Sequence, residues 1–177
     1  AHIYPLGALT IGLHGEKLTE MSELTDAGCI GFSNANAPMP DTEMLLRVMQ
    51  YAKSFDYCIW LQPQDPSLGK NGMAHSGPLS ARLGLSGIPV IAETISLHTI
   101  FELMRVTGAR VHLCRLSSAA GIDLVRQAKA EGLPVTADAG IHHLHLTDAD
   151  IDFFDSNARL VPPLRSNKDR DAITAGL

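Results

Sequence analysis

Residues 109–121 read ARVHLCRLSSAAG. Val111, Leu113 and Leu116, with Cys114 among them, form a short apolar run of the kind a buried strand makes. Ser117 and Ser118 follow as good N-cap residues for a helix. Strand, Ser-rich turn, helix is the repeating unit of an α/β fold. In an α/β barrel the C-terminal end of each strand is where chemistry sits. The residue at that end here is Arg115.

The same alternation extends outward in both directions. Upstream, Pro89 opens a mostly apolar helix, Val90 to Val106, which stops at Gly108. Downstream, a helix from Ile122 to Ala130 closes at Gly132, and Pro134 to Gly140 is the next strand. Nearer the N-terminus, Leu6 to Gly12, Cys29 to Ser33 and Tyr57 to Leu61 are strands. Between them lie a helix from Glu16 to Ala27, stopped by Gly28, and a helix from Thr42 to Phe55, capped by Asp41. Leu45, Val48, Met49 and Ala52 share one face of the latter. Leu79 to Leu85, Thr147 to Phe154 and Asn167 or Lys168 to Gly176 are further short helices, and Arg159 to Pro163 is a weak sixth strand. Gln62 to Pro78 is a long irregular loop, broken by Gly and Pro. This order predicts an α/β fold with a parallel sheet covered by helices, in a single domain over 1–177. The strand count fits a partial (β/α)8 barrel, or an open doubly wound sheet, better than a complete barrel of eight strands.

Hydrophobic residues are 45% of the chain, charged residues 19%, and the formal charge is −5. There is a core to bury, no basic stripe to grip nucleic acid, and no apolar run of membrane-spanning length. Cys29, Cys58 and Cys114 are scattered and odd in number, as core thiols in a reducing cytoplasm would be. The chain starts without Met and ends in or just after a helix, which reads as a processed chain or a fragment of something longer.

G-x-G-x-x-G, the P-loop, G-x-S-x-G and C-x-x-C are all missing. His142, His143 and His145 stand close together, and an H-x-H pair on a strand aims both imidazoles to one side, as metal ligands must. Surface or hydrogen-bonded histidines are the competing reading. Ser33, Ser117 and Ser118 lie near strand ends with no base beside them in sequence. Asp65 and Asp138 are available as acids, bases or caps.

Several segments together resemble the dihydroorotases, metal-dependent amidohydrolases that close carbamoyl aspartate to dihydroorotate in pyrimidine synthesis. They include YPLGALTIGLHGEKLTEMSELTDAGCIGFSN from Tyr4, LGLSGIPVIAET from Leu83, TGARVHLCRLSSA from Thr107, VRQAKAEGLPVTAD from Val125, IHHLHLTDAD from Ile141 and PPLRSNKDRDAITAGL from Pro162. The resemblance implies the middle of a (β/α)8 barrel. The family's first strand, with its H-x-H, and its last, with a catalytic Asp, would lie outside 1–177.

The resemblance also implies where function has been lost. The family's T-D-D-G loop is here Ser33, Asn34, Ala35 and Asn36, placing Ala35 at a metal-ligand position. Its H-C-E-D is here Gln62, Pro63, Gln64 and Asp65, placing Gln62 at a ligand position. Its H-x-C-H is here His112, Leu113, Cys114 and Arg115, placing Arg115 at a third. Val161 replaces a substrate-binding Asn before P-P-L-R. Ala35 and Val161 offer no donor atom, Gln62 only a neutral oxygen, and Arg115 a permanent positive charge. His143 and His145 fall outside the family's ligand set. The expectation is a non-catalytic, zinc-free, dihydroorotase-like protein in the cytoplasm. It would be a structural or assembly partner of aspartate transcarbamoylase, with self-association. The alternative is an active cyclic amide hydrolase, with a site rearranged around His142, His143 or His145 or completed by segments outside this chain. A buried Arg115 needs partners, and Asp138, then Asp65, are the expected ones.

Overall fold

The computed structural model describes residues 1–37, 39, 41–152 and 154–177. Five strands form the main sheet: β1 (Leu6–Ala8), β2 (Gly31–Ser33), β3 (Cys58–Leu61), β6 (Arg110–Leu113) and β7 (Val135–Ala137). They lie in that order and every neighbouring pair is parallel. A second sheet pairs β4 (Ala74–His75) with β5 (Gly87–Ile88). The helices are α1 (Met21–Asp26), α2 (Thr42–Ser54), α3 (Pro78–Leu83), α4 (Val90–Thr107), α5 (Ala119–Ala130) and α6 (Asn167–Thr174).

Strand order in the main sheet never reverses. Right-handed crossovers in one direction put all the covering helices on one face. A doubly wound sheet reverses at a switch point and is covered on both faces. The sheet is therefore part of a barrel wall. Alternation along each strand divides its side chains. Phe32, Ile59, Leu61, Val111, Leu113 and Val135 point into a core shared with Val48 and Met49 of α2, Leu97, Ile100 and Met104 of α4, and Val125 of α5. Trp60, His112 and Cys114 occupy the other face and are only partly buried.

The turn after β6 is held by a buried carboxylate. Glu93, on the first turn of α4, is 2% exposed. Its Oε2 accepts from Ser117 N–H (2.9 Å) and Ser117 Oγ (2.5 Å); its Oε1 accepts from Ser118 N–H (3.1 Å) and Ser118 Oγ (2.6 Å). Ser118 caps α5, its Oγ accepting from Gly121 N–H. Gly121 must lack a side chain, since a Cβ there would run into Glu93 Oε1. Arg165, 3% exposed, donates through Nε to Ser117 Oγ (3.0 Å) and through Nη1 to the Ile88 carbonyl (2.8 Å). From α6, Asp169 Oδ1 accepts Ala119 N–H.

Four predicted elements change. Arg159 to Pro163 forms no strand: a 3₁₀ turn covers Ser156–Ala158, and the two prolines that follow have no N–H to give a ladder. The helix expected from Glu16 shrinks to α1, because the chain first folds back, Ile11 N–H to Lys17 O and Thr19 N–H to Leu9 O. The loop Gln62 to Pro78 contributes β4 and a turn in which Asp65 Oδ1 accepts from Ser67 and Leu68 N–H. In place of the helix expected from Thr147 to Phe154, a 3₁₀ turn covers Asp148–Ile151; position 153 of that stretch lies outside the described residues.

Replacing Glu93 with Ala takes from the buried Arg165 the larger of the two carboxylate charges that act on it, leaving Asp169, and orphans two backbone donors. Loss of one partner of a buried charge network costs about 3–5 kcal/mol. Urea denaturation of Glu93→Ala is expected to show a loss of that size. A loss below about 1 kcal/mol would mean the network is not what fixes this turn.

Candidate functional site

At the C-terminal edge of the sheet, β6 hands over to its turn through tightly specified backbone. Cys114 N–H donates to the Leu61 carbonyl (2.8 Å) and Leu116 N–H to the Asp138 carbonyl (2.9 Å). Arg115 N–H donates to Asp138 Oδ1 (2.7 Å). Arg115 itself has φ +59°, in the left-handed region that a branched or long side chain seldom adopts. This kink throws its side chain sideways across the sheet edge. Its Nη2 donates to Gln62 Oε1 (2.6 Å) and Asn36 Oδ1 (2.5 Å), and its Nη1 to the Val161 carbonyl (3.2 Å).

The expected partners of the guanidinium are thus corrected. Asp138 takes the backbone N–H of Arg115, not its side chain, and Asp65 caps the turn after β3. Among the described residues the cation rests on neutral oxygens alone. Those oxygens border a cleft of about 240 Å³, lined among others by Asn34, Ala35, Asn36, Gln62, Gln64 and Val161. None of the described side chains lining it is ionisable. Asn34 is already committed, its Oδ1 accepting from Thr10 N–H and Oγ1. A divalent ion does not fit here: Ala35 has no donor, the Gln62 oxygen is taken by a guanidinium, and that charge repels a metal.

His142, His143 and His145 do not lie on a strand. They sit on and just after a 3₁₀ turn, Ile141–Leu144. His143 is 2% exposed and donates from Nε2 to the Pro163 carbonyl (3.2 Å); its Nδ1 has no partner among the described residues. His142 stacks on it, ring centroids 4.4 Å apart, while His145 is exposed at the end of the turn. Burial, and then the neighbouring His142, push the pKa of His143 down to about 4. Ser117 and Ser118 are held by Glu93, and Ser33 Oγ accepts from Ala35 N–H, so none of the three is poised as a nucleophile.

Sequence reasoning missed one constellation. His112, Cys114 and Asp138 bring their donor atoms within 4.8 Å of one another, the one such metal-capable group among the described residues. His112 and Cys114 are two apart on one strand face, a signal that was legible. Asp138 joins them only through the pairing of β6 with β7, which places Thr136 opposite His112 and Ala137 opposite Leu113. His112 Nε2 lies 2.9 Å from Asp138 Oδ2, and Nδ1 lies 2.7 Å from Thr136 Oγ1. Trp60 packs on the imidazole, ring centroids 4.4 Å apart. Burial and the Asp138 carboxylate push the Cys114 thiol up to about 11.

Known proteins share this fold. The L-hydantoinase (dihydropyrimidinase) of Arthrobacter aurescens superposes with a TM-score of 0.77 at 20% identity, over 96% of this chain and 39% of its own. A D-hydantoinase gives a TM-score of 0.72 at 17% identity, over 96% and 40%. These likenesses show the fold, part of a (β/α)8 barrel wall. A family model described as dihydro-orotase-like matches residues 1–120. The chain belongs to that dihydroorotase-like family. It is 42% identical over 175 residues to a dihydroorotase-like protein of Pseudomonas putida, covering 99% of this chain and 41% of that protein. It is 43% identical over 173 residues to a dihydroorotase-like protein of Pseudomonas aeruginosa, covering 98% and 41%. A dihydroorotase of Desulfotalea psychrophila is 38% identical over 177 residues, covering 100% and 42%. The chain thus spans about two-fifths of the length of these relatives.

The two corrected residues can be checked by stability. Arg115→Ala removes hydrogen bonds from a partly exposed cation without stranding an acid, so it is expected to cost about 1–2 kcal/mol in urea denaturation, less than Glu93→Ala. An equal or larger loss would point to an acidic partner after all. His143 has a folded pKa near 4, below the ordinary 6.5. Protonation therefore favours the unfolded chain: its contribution is complete above pH 6.5 and is lost as pH falls toward 4, on the order of 2–3 kcal/mol. Stability curves of wild type and His143→Gln should diverge in that interval, the variant being flatter. Parallel curves would mean that His143 is not buried as the neutral imidazole.

Proposed function

We propose that this chain belongs to a dihydroorotase-like protein that serves pyrimidine synthesis without catalysing the dihydroorotase step, as a structural or assembly partner of aspartate transcarbamoylase in the cytoplasm. One observation carries the reading. The positions that the family resemblance assigns to metal ligands and substrate are joined to one another: Arg115 is hydrogen-bonded to Gln62 and to the backbone of Val161, and Ala35 lines the same cleft. A guanidinium that holds neutral oxygens across three loops does a structural job where a working site would need metal cations and a bound water. The name shared by the two Pseudomonas relatives, dihydroorotase-like protein, accords with it. Three free thiols accord with a reducing compartment. Among the described residues no helix is long and apolar enough to cross a membrane. The alternative, hydrolysis through His142, His143 or His145, has less support, since one of these is buried and no third donor joins them among the described residues.

The test is an assay of the full-length protein for dihydroorotate hydrolysis and carbamoyl aspartate cyclisation, with and without added zinc, beside size-exclusion chromatography with aspartate transcarbamoylase. Turnover at background in both directions, together with co-elution, is expected. Zinc-dependent turnover would overturn the non-catalytic reading; separate elution would overturn the partnership.

A further inference from the structure

We propose that His112, Cys114 and Asp138 form a zinc site on the sheet face opposite the helices, next to the cleft that Arg115 borders. The inference does not rest on the function proposed above, because none of its three ligands stands at a position the family resemblance assigns to metal or substrate, although Trp60, which packs on His112, also lines the cleft.

Three observations on the geometry support it. First, the donors are a thiol, an imidazole and a carboxylate, the set that zinc takes and that magnesium and calcium do not. Second, they converge from two adjacent parallel strands, with all donor atoms within 4.8 Å of one another. Ligands of one tetrahedral zinc stand roughly 3.3–3.6 Å apart, from bond lengths of about 2.0–2.3 Å. His112 Nε2 and Asp138 Oδ2, at 2.9 Å, need only separate slightly to admit the ion between them. Third, the surroundings are already arranged as a zinc site's would be. Thr136 Oγ1 is 2.7 Å from His112 Nδ1 and can accept a hydrogen bond from Nδ1–H once the proton leaves Nε2, which frees Nε2 to ligate. Asp138 Oδ1 is held by Arg115 N–H, which aims Oδ2 at the imidazole. Trp60 shields the ring.

The charges close as well. On binding, the Cys114 thiol loses its proton to solvent and the His112 proton moves from Nε2 to Nδ1, so one proton leaves per zinc. The ion's two positive charges meet one thiolate and one carboxylate. The Arg115 guanidinium, bound to Gln62 and Asn36, contributes no ligand; its charge opposes the ion and at the same time favours the Cys114 thiolate. Three protein ligands leave a fourth position for water.

The experiment is a zinc titration of the dialysed protein against a chromophoric chelator, with cobalt(II) as a spectroscopic probe. One zinc per chain is expected, together with a thiolate-to-cobalt charge-transfer band. Cys114→Ser, nearly isosteric and therefore safe for folding, is expected to abolish the band and weaken zinc binding by about 100-fold or more. Thr136→Val, acting through the imidazole, should weaken it by roughly 10-fold while the band remains. Several results would overturn the site: no binding that competes with the chelator, no charge-transfer band in the wild type, a band that survives Cys114→Ser, or affinity that depends on His142 and His145 instead.

Discussion

A carboxylate taken out of water must be supplied with donors from the protein around it, and Glu93 is supplied with four. That requirement orders much of this fold. Two of the donors are the backbone N–H groups of Ser117 and Ser118, so the path of the chain leaving β6 is set by a residue on α4. The other two are their hydroxyls. Ser117 also accepts from Arg165, which ties in the segment before α6 and the end of β5. Burial pushes the Glu93 pKa up while these donors oppose it. Removing Glu93 leaves two buried backbone N–H groups and two hydroxyls without the acceptor they share, and shared acceptors of this kind make polar networks cooperative.

The same turn delivers Arg115 to the sheet edge. The backbone around it is pinned to Asp138 and Leu61, so only the side chain is free to choose its contacts. It chooses carbonyl-type oxygens, and the described lining of the cleft they border carries no ionisable group. The local consequence is internal consistency: a Gln, an Asn and a backbone carbonyl each accept from one cation. A cation that bridges the loops after β2 and β3 and the segment at Val161 can hold them in register.

The two faces of the sheet have different fates. The helix-covered face is packed, with Ile59, Val111 and Leu113 at 0%, 1% and 0% exposure. The opposite face carries Trp60, His112, Cys114 and Thr136, and its polar groups satisfy one another across β6 and β7. That is why soft and hard donor atoms gather there without disturbing the core.

The chain's own sequence determined the elements that depend on local periodicity and local chemistry. The five strands of the main sheet, the cap of Asp41 on α2, the apolar face of that helix and the Ser118 start of α5 were all legible, because spacing and capping act within a few residues. Family membership was legible too, through motifs spread over the chain. Tertiary structure decided everything that depends on what comes alongside. Arg159 to Pro163 is apolar enough for a strand, yet its carbonyls go to Arg115 and His143 and its prolines cannot pair. Asp138 looked like the partner of a guanidinium, but the kink at Arg115 offered it a backbone N–H first. His143 was a weak candidate ligand in its run of histidines, and packing buries it with Nε2 on the Pro163 carbonyl. Asp138 lies far along the chain from His112 and Cys114 and meets them only because β6 pairs with β7 in one register. A sequence names which donors exist; only the packed backbone determines which of them face each other without water between.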